Sequence, residues 1–194
     1  EAGRLLLRGS MDETRLAQLV DVASYAAEQT EDFYDGLALA LEAILISPEF
    51  VFIVDSVEPD PERPAQQRLD SYSLASRLSF FLWNAAPDDA LLQAAENGEL
   101  HTPEGLAQSV DRLLASTRLE EGMRTFFDDM LAFDEFNSLA KDPLVYPMVT
   151  GTTLEHAREQ TLRTIIDHLL VDEADYRDLF TTRKTFMSMP LAAL

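Results

Sequence analysis

A mainly α-helical fold, with several helices packed around one central apolar helix and little or no sheet, is what this 194-residue sequence predicts. Three observations carry that prediction. Apolar residues recur at three- and four-residue spacing through most of the chain, the period of a helix face. Ser, Thr, Asp and Pro stand at the starts of those stretches, where a helix needs side-chain acceptors or a residue without an N–H. One stretch, "LDSYSLASRLSFFLWNAAPDDALL" from Leu69 to Leu92, is apolar on two faces, as a helix enclosed by its neighbours must be.

Ser10 with Glu13 reads as a capping box ahead of Leu16, Leu19, Val20, Ala23 and Ala27, which predicts an amphipathic helix to about Gln29. Thr30 starts a second helix, Glu31 to Ser47. Its apolar stripe is Phe33, Leu37, Ala40, Leu41, Ile44 and Leu45, with Leu39, Ala43 and Ile46 on other faces, so it should be substantially buried. Pro48 ends it, and "EFVFIVD" (Glu49 to Asp55) is expected as an extended arm or isolated strand. "SVEPDPERPAQQ" has three prolines among charges, the composition of an exposed linker. The predicted organisation is therefore an N-terminal helical hairpin domain at 1–55, a linker at 56–68 and a C-terminal helical domain at 69–194.

In the third segment Asp70 caps the two-faced helix, Pro87 opens a short helix from Asp88 to about Asn97, and Gly98 stops it. Thr102 before Pro103 starts a helix to Ala115, and Thr117 with Glu120 reads as a capping box for a helix through Phe133. Asp134 to Thr152 lacks a period and contains Pro143, Pro147 and Gly151, so it reads as a long ordered loop. Thr152 with Glu155 starts the last long helix, to about Val171, before an acidic turn and a short helix from Tyr176 to Phe180.

The 35 acidic against 15 basic residues give a net charge of -20, which repels phosphate and excludes a nucleic-acid partner. That excess also fits a saline or extracytoplasmic setting. The sequence has no cysteine, so it supplies no disulfide, thiolate nucleophile, iron–sulfur ligand or Cys-x-x-Cys-His haem attachment. No apolar run approaches the roughly 20 residues of a membrane-spanning helix. A start without Met and an end in "MPLAAL" lead us to expect a piece of a longer protein.

At about 100° per residue, Leu74, Ala75, Leu78, Phe81 and Leu82 share one arc of the two-faced helix, while Tyr72, Ser76, Ser79 and Trp83 share the other, bordered by Ser73 and Phe80. Two readings follow. In the first, both arcs are core, the serines allow a neighbour to approach closely, and their hydroxyls bond to the preceding turn. In the second, Tyr72 and Trp83 form an aromatic platform for a flat ligand or sugar ring.

"DGLALALEAILISPEFVF", "RLDSYSLASRLSFFLWNAAPDDALL", "REQTLRTIIDHLL" and "DYRDLFTTRKTFMS" occur in that order, and together they resemble consecutive domains of the planctomycete-type cytochrome-associated group. The resemblance covers nearly the whole chain. It implies a large exported bacterial protein, periplasmic or at the cell surface, with no established reaction and often with a c-type haem module. Without cysteine that module must lie outside this chain, so no cofactor is expected within it.

On the last long helix, Leu162, Ile165, Ile166, Leu169 and Leu170 form the apolar stripe, and the same side extends back to Arg158 and Glu159. A guanidinium near a core needs an acceptor. Arg158 is expected to be partly buried, either clamping the 134–152 loop or contacting a ligand carboxylate or sugar. His156 and His168 are too far apart along a helix to share one metal, and neither has the Glu-x-x-His spacing of a ferritin-like site. No metal is expected; the histidines should be exposed or capping, and "VDEADYRD" a solvated acidic turn. No Gly-x-Ser-x-Gly elbow is present.

The expected role is a helical scaffold or interaction region, whose partners are other domains of the parent protein or a protein or saccharide. The alternative is a polysaccharide-acting or oxidoreductive domain, with a pocket near Arg158 and Glu159 that also takes in the Tyr72/Trp83 face.

Overall fold

The computed structural model describes residues 2–139 and 141–194, with the Asn137 side chain left out; Ala140, within the expected 134–152 loop, lies outside the described residues. Helix accounts for 65% of the structure, and among the described residues the sheet is one two-stranded hairpin, so the fold is mainly α. Two compact units divide it, Glu1–Ser116 and Thr117–Leu194.

The first unit opens with a helix absent from the sequence reading, α1 (Ala2–Leu7), followed by α2 (Glu13–Thr30) and α3 (Phe33–Leu45). The caps are aspartates. Asp12 accepts from the Arg15 N–H at 2.7 Å and Asp32 from the Tyr34 N–H at 2.7 Å, in place of the expected Ser10 and Thr30. A carboxylate satisfies the first-turn N–H groups and also complements the positive end of the dipole, which a hydroxyl does not.

α3 is not substantially buried. Among its residues only Gly36 and Ile44 are, and Phe33 is 73% exposed. The reason lies in how α2 and α3 meet: a Cβ on Gly36 would stand 2.4 Å from the Ala23 carbonyl oxygen and 2.9 Å from the Ala27 Cβ. Small residues bring the two backbones together and turn the large ones outward. No strand forms at Glu49–Asp55, and the chain becomes extended only from Phe52 onward. Pro48 begins a short helix instead, α4 (Pro48–Val51), and the Arg8 guanidinium donates to the carbonyls of Glu49, Phe50 and Phe52 at its end.

The segment expected to be a bare linker contains the hairpin, β1 (Val57–Pro59) paired antiparallel with β2 (Gln67–Leu69). Its charges are internally matched, which linker composition does not reveal. Arg68 Nε donates to Glu58 across the strands at 2.7 Å. Asp60 is buried and accepts from the Glu62 N–H and from Arg63 Nε.

Asp70 caps α5 (Ser71–Trp83), Asp88 caps α6 (Asp89–Glu96), and Thr102 caps α7 (Pro103–Leu114), as the sequence indicates. Gly98 takes φ +72° after α6, a conformation that strains any residue with a Cβ. Ala75 and Trp83 of α5 meet Leu91, Ala95, Leu100 and Leu113 in the core, with Leu74, Leu78 and Leu82 packed against it. α5 is thus the central helix of this unit. Two details of its wheel differ from expectation. Phe81 is 82% exposed, and the serine hydroxyls bond outward rather than to the preceding turn: Ser79 donates to the Ala85 carbonyl and Ser73 accepts from the Ser56 N–H, each at 2.8 Å.

Residues from the first 55 are tied into this core by charge. Arg4 pairs with Asp89, the Arg8 guanidinium lies 5.6 Å from the Phe80 ring centre, and Asp55 pairs with Arg77 of α5.

The second unit begins with α8 (Arg118–Met130). Thr117 is itself helical and supplies no cap, so the Thr117/Glu120 box does not form, and the helix stops before the left-handed Ala132 (φ 53°) rather than at Phe133. A 3₁₀ segment, Phe133–Ser138, lies within the expected loop. α9 (Gly151–Ile166) starts from a reciprocal box of Thr150 and Thr153, two residues ahead of the expected pair, and runs into a π-turn over Asp167–Val171. A 3₁₀ turn, Tyr176–Phe180, and α10 (Met189–Ala192) follow. Phe127, Phe133, Leu162 and Ile165 form this unit's core.

Candidate functional site

The buried stripe of α9 is Leu162, Ile165 and Ile166, and Arg158 and Glu159 sit one turn before it. Arg158 donates through Nε to the Asp128 carboxylate of α8, and that bond raises the guanidinium pKa. Its side chain is 49% exposed, and its acid comes from α8 rather than the 134–152 loop. The expected clamp between loop and helix is therefore a helix-to-helix ion pair at the rim of the core. The wheel assigned Arg158 the correct side but could not show that the core ends at Leu162.

Glu159 accepts from Arg124 Nη1 of α8 at 3.0 Å and pairs with Arg163 one turn on at 3.2 Å, while Arg124 also reaches Glu120 at 2.9 Å. Alternating charges thus lace α8 to α9. Beside them opens a cleft of about 770 Å³, lined among others by Asp128, Arg158, Phe133, Phe136, Lys141 and Glu155. Two cations, three carboxyl groups counting Asp134, and aromatic edges offer hydrogen bonds and a flat apolar contact, the chemistry of a small polar ligand site.

Exposed ion pairs contribute about 1 kcal/mol or less. Arg158→Met, which keeps the aliphatic stem, and Arg158→Lys should therefore each melt within a few degrees of wild type. A loss of several kcal/mol by denaturant titration would show that the pair holds α8 and α9 together.

Tyr72 and Trp83 belong to the first unit, and Arg158 and Glu159 to the second. Trp83 is 3% exposed, its Nε1 donates to the Leu113 carbonyl at 2.9 Å, and the Arg112 guanidinium lies 5.8 Å from its ring centre. It is core, with no face open to a sugar. Tyr72 is half-buried and lines a smaller cleft of about 200 Å³ with Arg8, Arg15, Ser10, Ser73 and Ser76. Burial, with Glu96 nearby, raises its hydroxyl pKa.

Arg15 in that cleft forks both oxygens of Glu49 at 3.2 Å, and this hydrogen bonding lowers the Glu49 carboxyl to about 2. A depressed carboxyl contributes stability above its unfolded pKa and loses it as pH falls toward the folded value. Melting temperature should therefore decline between about pH 4.5 and 2 by an amount that shrinks in Glu49→Gln. The pair is partly exposed, so its share is about 1 kcal/mol and is further reduced by salt.

Two of the histidines bond within the fold. His101 contacts Ser71 Oγ and the Leu69 carbonyl, at 3.3 and 3.0 Å. His168, expected to be exposed or capping, is buried, with Nε2 2.9 Å from the Asp175 carbonyl oxygen. In the acidic turn Lys184 bridges Asp167 and Asp172, and Arg177 pairs with Asp175. No group of three or more His, Asp or Glu side chains suited to a metal occurs among the described residues. Nor is any helix among them long and apolar enough to cross a membrane.

Sequence reasoning missed the outward apolar face of α3. Its signal was present in Ala23, Ala27 and Gly36, small residues at one-turn spacing that mark where helices touch and hence which side stays open.

Fold and sites together define a mainly helical protein region of two compact units. The chain belongs to the PSD4 family, described as a protein of unknown function (DUF1592), whose model matches residues 69–194. Residues 1–55 match a second family, PSD5, likewise a protein of unknown function (DUF1595). No curated protein and no solved structure matches the chain.

Proposed function

We propose that this chain is a helical scaffold and interaction region of a larger exported bacterial protein, acting outside the cytoplasm, with any c-type haem held by a module beyond this chain. The observation that carries this reading is the row of exposed apolar side chains on α3: Phe33, Tyr34, Leu37, Leu41 and Leu45. Contiguous apolar surface of this kind marks an interaction site. The strongly acidic composition and the resemblance to cytochrome-associated domains support the setting, and a sequence without cysteine offers no Cys-x-x-Cys-His attachment for a haem.

The test is binding of an apolar fluorescent dye to the chain. Emission should rise with wild type and fall in Leu37→Ser/Leu41→Ser, with helix content unchanged by circular dichroism. No dye binding by wild type, or a stoichiometric haem band in the purified chain, would overturn the reading.

A second reading, a polysaccharide-acting or oxidoreductive domain, draws on one observation, the 770 Å³ cleft beside Arg158. Under it, soluble oligosaccharides should raise the melting temperature of wild type and not of Arg158→Ala. No shift with either protein would remove the saccharide form of this reading.

A further inference from the structure

The open face of α3 has a definite shape. Phe33, Leu37, Leu41 and Leu45 recur every four residues, with Tyr34 beside them, and all are exposed. They form a ridge about 20 Å long on a 13-residue helix. Gly36, Ala40 and Ala43 lie on the adjoining side of the helix, where Gly36 meets α2, and Ile44 is buried at the ridge's edge, so the ridge borders the α2–α3 contact and keeps its large side chains outside it.

Charge on and beside this ridge has one sign. Asp35 and Glu42 lie on the flank of α3, Glu31 and Asp32 at its start, and Asp21 and Glu28 on α2, all exposed. Between Arg15 and Arg63 the sequence contains no Lys, Arg or His at all. The cation at the edge, Arg15, is held by Glu49.

An apolar ridge among acids selects its occupant. A second copy would bring the same acids face to face, since a two-fold contact pairs a patch with itself, and like charges across an interface cost several kcal/mol. An anionic membrane is repelled for the same reason. An amphipathic helix with apolar residues at i, i+3/i+4 and i+7 and Lys or Arg on its flanks meets both requirements. We propose that α3 docks a basic amphipathic helix presented by another polypeptide. This rests on the reading of the chain as an interaction region and specifies the chemistry of its partner.

The full chain can be titrated against two labelled helical peptides of about four turns, alike in their leucine stripe, one with lysines and one with glutamates on the polar face. The lysine peptide should bind one to one, at least about tenfold tighter than the glutamate peptide, and weaken about tenfold between roughly 50 and 500 mM salt. Leu37→Ser/Leu41→Ser should abolish binding with its helix content intact. Equal binding of both peptides overturns the basic partner and leaves the interaction region standing. Binding of neither while the dye still binds does the same, as does lysine-peptide binding that the double variant does not weaken. Concentration-dependent dimerisation removed by the double variant makes a second copy the occupant and overturns the proposal. Failure of dye and peptides together overturns the underlying reading as well.

Discussion

Trp83→Ala is expected to destabilise the first unit by about 3–5 kcal/mol, measured by denaturant titration. The side chain is almost fully enclosed by Ala75, Leu91, Ala95, Leu100 and Leu113. Truncation removes the transfer free energy of a large aromatic, and the Leu91 and Leu113 side chains, both fully buried, cannot swing in to close the void. It also removes the indole N–H bond to the Leu113 carbonyl, which then keeps only the longer backbone bonds of the α7 C-terminus. The same burial predicts blue-shifted emission from Trp83, the only Trp in the chain, and poor quenching by iodide. Red, freely quenched emission would contradict the enclosed placement before any variant is made.

Gly36→Val should cost about 1–3 kcal/mol even though glycine is normally the weaker choice inside a helix. Added alone, a Cβ there would stand 2.4 Å from a backbone oxygen of α2, and a backbone atom cannot rotate aside as a side chain can. The two helices must part at that point, where alanines face Gly36 and supply little apolar mass to re-form the contact. Gly151→Ala is the matched control: nothing lies within 4 Å of a Cβ at that position, so it should change stability by about 0.5 kcal/mol or less. Equal effects of the two substitutions would mean that α2 and α3 do not approach as closely as described.

Helices and their order were legible because capping chemistry is local. Asp70, Asp88 and Thr102 start their helices through bonds to the residue three positions on, which a sequence displays directly. Where two caps competed within a few residues, as with Ser10 and Asp12 or Thr150 and Thr152, the outcome turned on backbone geometry that the residue types alone leave open. The orientation of an apolar face was legible only where one side is polar. α3 is apolar nearly all round, so its pattern said buried, and the small-residue contact that decides which side is covered involves a different helix. At the candidate site the wheel of α9 gave the side of Arg158 correctly. Its partner Asp128 lies 30 residues away on α8 and was out of reach of any local rule.

The salt links of Arg4 and Arg77, together with the ring contact of Arg8, join residues 1–55 to residues 69–116, so the border between the two family matches falls inside one compact unit. Heredity should respect that. A recombination that exchanged either segment at the hairpin would leave guanidiniums and carboxylates facing strangers. Residues 1–55 and 69–194 should accordingly travel through genomes together, gained and lost as a pair, with compensating changes at Arg4 and Asp89 appearing in the same lineages.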